Sequence, residues 1–265
     1  MGERLARFRP ILRYDDPSYY RADMYGMTGY HLEEDLHLGF IWLFDRSAAR
    51  PKEHGGNEEG PINIQLAYSR DPNPYGFWHR AVDRQDFLSC GSGGDYDAGM
   101  VKTAHTVVEV GDELWFYYTG TDGGHAAREE EESRDEIRGR LPRPHSKLLY
   151  DGSSLNLATL RRDGFVSLDA IYPEGMAVTK LLTFTGRHLE LNADAENGCI
   201  RVEIVDARGT PIAGFTRDDC RPFRADDVRG TGKWKAGDSL HALAGKSVRF
   251  VSHMEAAKLY TFRVV

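Results

Sequence analysis

The chain contains an internal repeat. A repeat constrains a fold more than composition does, because both copies must take the same local structure and pack in the same way. The first copy opens on Asp23-Met24-Tyr25-Gly26-Met27, runs through Leu36-His37-Leu38-Gly39-Phe40-Ile41-Trp42-Leu43-Phe44 and reaches Gln65-Leu66-Ala67-Tyr68-Ser69-Arg70-Asp71. The second opens on Asp97-Ala98-Gly99-Met100, runs through Asp112-Glu113-Leu114-Trp115-Phe116-Tyr117-Tyr118 and reaches Asn156-Leu157-Ala158-Thr159-Leu160-Arg161-Arg162-Asp163-Gly164-Phe165. Aromatic and β-branched runs bounded by Gly, Pro and Asp predict strands, and neither copy has a helical period. Each copy reads as an opening strand, an aromatic strand, a third strand of the type Leu-Ala-x-x-Arg with an Asp behind it, and a closing strand. The closing strand is expected to start near Phe77-Trp78 in the first copy and near Phe165-Val166 in the second. Four short strands per repeat make a propeller blade.

Turn residues at 71–76 and at Asp163-Gly164 join the third strand to the fourth. Two insertions interrupt the copies. Residues 47–61 are rich in Gly, Pro and charge, and residues 129–144 hold four consecutive glutamates followed by arginines. Charge runs of this kind predict a solvated loop or short surface helix, with a lid over a site as the alternative. Past Leu168 the pattern changes to short alternating strands at 189–191, 200–205, 247–250 and 259–264, separated by turns. This is the signature of an antiparallel sandwich. The predicted fold is all-β: a partial β-propeller of about two four-stranded blades in residues 1–170, then a small antiparallel β-sandwich in residues 171–265, with the boundary between 168 and 180.

Composition narrows the partners. The formal net charge is −7 over 265 residues, so the clustered basic surface that phosphate binding requires is absent and no nucleic-acid partner is expected. No stretch approaches the roughly 20 apolar residues of a spanning helix, and the first residues lack the apolar core of a secretory signal, so no membrane partner is expected either. The compartment stays undetermined. Cys90, Cys199 and Cys220 are widely and unequally spaced, which predicts neither a disulfide framework nor a zinc site. Free buried thiols are expected, with a Cys199–Cys220 bridge as the alternative.

Two carboxyl groups facing each other across a substrate can work as a general acid and a general base or nucleophile. Asp23 and Asp97 head the two copies, and in a propeller such positions face the central axis, so both are expected catalytic carboxylates. The alternative is that they cap turns. Asp95 follows the Gly91-Ser92-Gly93-Gly94 loop and is the weaker candidate. Glu174, just after the last predicted blade strand, is a third catalytic candidate, as a general acid if burial raises its pKa. Expected substrate-binding residues are Trp115 and Tyr118 on the aromatic strand, with Asp122 and His125 on the Gly-rich segment behind it. Trp42, Trp78 and Tyr117 are further stacking candidates, the alternative being that most of these rings fill the space between blades. His105, inside a strand, is read as structural. Arg70 with Asp71 and Arg162 with Asp163 recur in both copies and predict an ion pair or turn within the repeat. No metal and no cofactor is expected.

These residues carry a family likeness. The openings ending in Gly-Met, the strand Asp112 to Tyr118 continuing into Thr119-Gly120, and the run Arg161-Arg162-Asp163-Gly164-Phe165-Val166-Ser167 resemble the five-bladed propellers of glycoside hydrolases that include fructosidases and arabinan- and xylan-cleaving enzymes. The segments Leu189-Glu190-Leu191-Asn192-Ala193-Asp194, Arg201-Val202-Glu203-Ile204, Pro211-Ile212-Ala213-Gly214-Phe215 and Lys258-Leu259-Tyr260-Thr261-Phe262 resemble the β-sandwich that follows such a propeller in bacterial glycosyl-hydrolase-like proteins. The resemblance implies a carbohydrate ligand in an axial pocket, cleaved by paired carboxylates. It also implies five blades, of which two are recognisable, with Phe8 to Leu12 as the last strand of a preceding one. N-terminal blades are therefore expected to be missing, and the open edges to be covered by a second copy or a partner chain. The alternative function is a non-catalytic carbohydrate-binding or assembly module.

Overall fold

The computed structural model describes residues 22–33, 35–45, 60–71, 77–125, 152–171 and 174–265. The expected strand at Phe8 to Leu12, the insertion 129–144, residues 47–59 of the other insertion and residues 72–76 of the first turn lie outside them. Among the described residues every regular element is a strand or a short 3-10 turn. The chain is all-β, built from open sheets. It divides into two compact units, Met1–Val108 with Trp115–Thr159, and Glu109–Leu114 with Leu160–Val265.

The first unit is built on strands β1 (Ala22–Glu33), β2 (Leu36–Asp45), β3 (Ile62–Ser69), β4 (His79–Arg80), β5 (Asp86–Leu88), β6 (Met100–Val110), β7 (Glu113–Thr121) and β8 (Ser153–Arg161). They form one open sheet in the order β1-β2-β3-β6-β7-β8, with β4 and β5 both pairing β3. The first copy is the antiparallel set β1-β2-β3-β4/β5. Its join to the second copy is a single parallel pair, Ile62 with Met100.

The continuous apolar run of β2 follows from burial on both faces, which removes the need for alternation. Phe40 and Trp42 share one face, since side chains alternate along a strand. Phe40 meets Phe87 of β5 and Phe116 of β7, with ring centroids 5.4 and 5.2 Å away, and Phe87 and Phe116 are 5.5 Å apart. Trp42 donates its indole N–H to Thr103 Oγ1 of β6 at 3.1 Å, and Thr103 bonds Thr28 of β1 at 2.9 Å. Trp42 also needs glycine at position 26, where a Cβ would stand 2.8 Å from the indole. These rings thus fill the space between the copies. On the other face of β2 and β3, Ile41, Ala67 and Trp78 form a core cluster with Met24 and Met27 packed on it. Burying each such large apolar side chain contributes about 1.5–3 kcal/mol.

Two expectations for the closing strands need correction. In the first copy that strand is present but split into β4 and β5, because Val82, Asp83 and Arg84 between them take left-handed φ angles of 49°, 47° and 65°. In the second copy Phe165 and Val166 form no strand. The backbone turns at Asp163, whose φ is 54°, and the next strand, β9 (Leu168–Ala170), pairs β17 (Ala257–Val264) inside the second unit. β9 thus pairs within the second unit rather than extending the second copy, and among the described residues the first copy shows four strand positions and the second three.

The second unit adds β10 (Gly175–Val178), β11 (Leu189–Asp194), β12 (Cys199–Asp206), β13 (Cys220–Arg221), β14 (Asp226–Thr231), β15 (Lys233–Trp234) and β16 (Val248–Glu255). Its sheets run β10-β16-β12, β14-β11-β17-β9 and β13-β15. Leu189, Leu191, Ile200, Ile204, Phe250 and Leu259 contribute to one shared core. Trp234 is sealed into it with its indole N–H on Val202 O at 3.0 Å and its ring edge-on to Phe215. All three cysteines are free, and Cys220 Sγ accepts the Val202 N–H at 3.1 Å.

The Arg-Arg-Asp-Gly run has a structural role in this unit. Arg161 Nε donates to Asn192 Oδ1 at 2.8 Å, and Asn192 Nδ2 donates to Arg162 O at 2.6 Å. Arg161 also pairs Asp226 at 2.5 Å and lies 4.4 Å above the Tyr260 ring. Three of the recurrent residues have partners outside their own dipeptide. Arg70 bonds Asp35, Arg162 bonds Glu109 and Asp163 bonds Arg263; the ion pairs are present, with different partners.

Candidate functional site

Among the described residues of the first unit, several polar side chains collect around the loop that precedes β6. That loop is glycine-rich because it doubles back within a few residues, and Gly94 takes a φ of 103° that a side chain would resist. The Ser92 N–H bonds Asp95 Oδ2 at 2.8 Å, so Asp95 serves the turn itself. Gly91 N–H bonds Asp97 O, and Cys90 N–H bonds Asn63 Oδ1 at 2.9 Å. At the far end Gly99 donates to Thr121 O and accepts from Ile62 N–H. A Cβ at Gly99 would come 2.1 Å from the backbone of Gly123, and one at Gly124 would come 2.7 Å from Gly60 O. Glycine at these positions lets the loop, the segment after β7 and the start of β3 converge.

Asp97 projects from this loop into a slot walled by two more glycines. A Cβ at Gly91 would stand 2.3 Å from Asp97 Oδ1, and one at Gly120 would stand 2.4 Å from its Cβ. Asp97 Oδ2 accepts the hydroxyl of Tyr118 at 2.7 Å. Tyr118 is 7% exposed, and burial, followed by the bond to Asp97, pushes its phenol above the ordinary range. Beside it, Asn156 Nδ2 donates to Ser154 Oγ at 2.8 Å, and Ser154 Oγ donates to Gly120 O at 3.2 Å. The Cys90 thiol, on the Ile62 carbonyl, is pushed up to about 11, first by burial and then by the charges of Asp97 and Asp86.

The other expected site residues are placed as follows. Asp23 stands exposed near the start of β1, opposite Phe44. Counted back from the shared Gly-Met pair, Asp97 corresponds to Met24 rather than Asp23, so the two aspartates occupy different settings, one in a paired strand and one in a loop. His125 donates its backbone N–H to Gly60 O at 2.7 Å, and its ring packs edge-on to Tyr25 and tilted on Phe44, with centroids 5.2 and 4.8 Å away. Lys102 Nζ lies 4.9 Å over Tyr25. Asp122 is exposed, with its N–H on Gly152 O. Trp115 shares the face of β7 that carries exposed Tyr117, opposite the face of Phe116 and Tyr118. His105 is exposed on β6. Glu174 belongs to the second unit, where it pairs with Arg217 at 2.7 Å and approaches His253 Nδ1 at 3.8 Å.

Sequence reasoning chose Asp97 and Tyr118 separately without joining them, and passed over Ser154, Asn156 and Asn63. One signal was available for two of these. In Ser154-Leu155-Asn156-Leu157 the alternation is inverted, with the leucines exposed and the polar residues turned inward, and inward polar residues need a partner. Among the described residues no three His, Cys, Asp or Glu side chains converge as a metal site. Compared with known proteins, the chain matches no family model, no curated protein and no solved structure.

Proposed function

We propose that this chain is a glycoside-hydrolase-like protein that holds a glycan at the Asp97 cluster of its first unit. The observation that carries this reading is the Tyr118–Asp97 bond inside a slot that only glycines at 91 and 120 leave open. It presents a fixed carboxylate next to two amide- and hydroxyl-bearing side chains, the kind of group that pairs with sugar hydroxyls. β1, which carries Asp23, and β6, which follows Asp97, are also linked side chain to side chain through Thr28–Thr103 and Lys102–Tyr25. This supports a propeller-like packing of the two copies against each other. The two sheets that share a core in the second unit support an accessory sandwich. Among the described residues β8 ends the sheet, and such an edge is where a second copy or a partner chain would add strands.

A non-catalytic carbohydrate-binding role is the second reading. It is favoured by the structural engagement of two candidate acids, Asp97 with Tyr118 and Glu174 with Arg217. One experiment separates the two readings. Arabinan, xylan and fructan oligosaccharides are titrated calorimetrically, and reducing-sugar release is assayed on the same samples, with Asp97→Asn as the variant. Hydrolysis abolished in a folded Asp97→Asn supports catalysis, and binding without release supports the binding module. Absence of binding to every oligosaccharide would overturn both.

A further inference from the structure

A second polar site lies on the face of β2 and β3 opposite Phe40. It is a depression of about 230 Å³ lined by Leu43, Asp45, Asn63, Gln65, Arg84, Gln85 and Asp86. That is below the roughly 300 Å³ of drug-sized pockets and several times the ~30 Å³ of one water, which is room for a single small ring.

The site is built rather than incidental. Gln65 is 3% exposed, so its amide had to be desolvated and then satisfied. Its Nε2 donates to Asp86 Oδ1 at 3.1 Å, and its Oε1 accepts the Arg80 guanidinium. Asn63 Nδ2 donates to the other Asp86 oxygen at 2.8 Å. Asp86 is thereby fixed in one orientation by two amides. Above it run Val82, Asp83 and Arg84, three consecutive non-glycine residues in the left-handed region. For the β-branched Val82 this is a genuine outlier. Strain of this kind costs of order 1–3 kcal/mol per residue and clusters at ligand clamps. Arg84 and Gln85, in and just after this segment, line the depression.

We propose that this depression binds a neutral, polyhydroxylated ring of monosaccharide size, as a subsite separate from the Asp97 cluster. Carboxylates accept from hydroxyls, while amides and the guanidinium donate to them, and the lining offers both kinds of group side by side. Two carboxylates against one guanidinium disfavour an anionic ligand. The proposal rests on the reading of the chain as a glycan-binding protein, but apart from Asn63, whose Oδ1 also holds the Cys90 N–H, it names different residues.

The test follows amide chemical shifts during titration with D-glucose, D-xylose and, as the anionic control, D-glucuronate. It uses the wild type, Tyr118→Phe, Arg84→Gly and Asn63→Ala. Arg84→Gly removes the guanidinium while relieving a left-handed φ, so the fold is expected to survive it, and thermal melts check Asn63→Ala. The expected result is saturable binding of a neutral sugar, retained in Tyr118→Phe and weakened about tenfold or more in Arg84→Gly and Asn63→Ala, with no response to D-glucuronate. No saturable binding by the wild type would overturn the proposal, as would equal binding by Arg84→Gly. Binding lost in Tyr118→Phe and kept in Arg84→Gly would place the sugar at Asp97, overturning the subsite and sparing the function proposed above.

Discussion

The hydroxyl of Tyr118 donates to Asp97 Oδ2 at 2.7 Å, across 21 residues of chain, and so ties a glycine-rich loop to the end of β7. The bond fixes the rotamers of both side chains, since Tyr118 is buried and Asp97 is confined by Gly91 and Gly120. Replacing Tyr118 with Phe keeps the ring and deletes the bond. A loss of about 1–3 kcal/mol is expected from the unpaired carboxylate, read by urea denaturation. Weaker oligosaccharide binding should accompany it. Unchanged stability would mean that the bond contributes nothing to holding the loop.

The same region makes stability sensitive to alkali. Cys90 is raised from 9.0 to about 11 and Tyr118 is raised above 10.0, both first by burial. The folded state therefore holds these protons more tightly than the unfolded state does. Their contribution is fully present below the unfolded values and is lost as pH rises, from about 9 through 11 for Cys90 and above 10 for Tyr118. Melting temperatures taken across this window should fall, and fall less in Cys90→Ser and Tyr118→Phe. Equal slopes in all three proteins would contradict the assignment.

Cys90 should also react slowly with iodoacetamide, because the thiolate is the nucleophile. At neutral pH an upward shift from 9.0 to about 11 leaves about a hundredfold less thiolate than an ordinary cysteine. Alkylation followed by peptide mass mapping measures this directly. Modification of Cys90 at the rate of a free thiol would show that its burial is not maintained in solution.

Glycines 93 and 120 make a paired test of packing. At Gly93 an added Cβ meets nothing within 4 Å, whereas at Gly120 it would stand 2.4 Å from Asp97 Cβ. Gly93→Ala should leave stability unchanged or raise it by up to about 1 kcal/mol. Gly120→Ala should lower it by about 1–3 kcal/mol and displace Asp97. The comparison is made on chemical denaturation midpoints, and equal behaviour of the two variants would refute the slot.

In the second unit Asn192, 3% exposed, bridges Arg161 Nε and Arg162 O. Asn192→Ala leaves a buried guanidinium N–H and a carbonyl without that partner, for an expected loss of about 2–3 kcal/mol. Asn192→Asp keeps the acceptor for Arg161 and loses the donor, so it should fall between. Hydrogen exchange at β11 and β17 would report the loosening.

Much of the all-β character was legible because its signals are local. The run from Leu36 to Phe44 has the composition of a strand buried on both faces, and Asp163-Gly164 has the chemistry of a turn. The recurrence of Arg70 and Arg162 as paired arginines was legible too, although Asp35 and Glu109 as their partners were not. Of the candidate site, Asp97 and Tyr118 could be chosen from residue type and position. Their meeting depends on a loop path set by Gly91, Gly99 and Gly120, which no periodicity encodes. Asp86 and Gln65 were not legible as a pair, because β5 reaches β3 only through the left-handed segment at Val82 to Arg84.

By itself the sequence determined many of the strands and turns, though not the closing strands of the two copies, since alternation, β-branching and turn residues act over a few positions. Only the tertiary structure decided which edges pair. β9 joins β17 instead of closing the second copy, and Glu174 joins Arg217 in the second unit. Edge strands offer equivalent backbone donors and acceptors to any partner, so long-range packing makes that choice. The copies, the turns and the aromatic strands were thus written locally, while the slot around Asp97 exists because three distant segments converge on glycines.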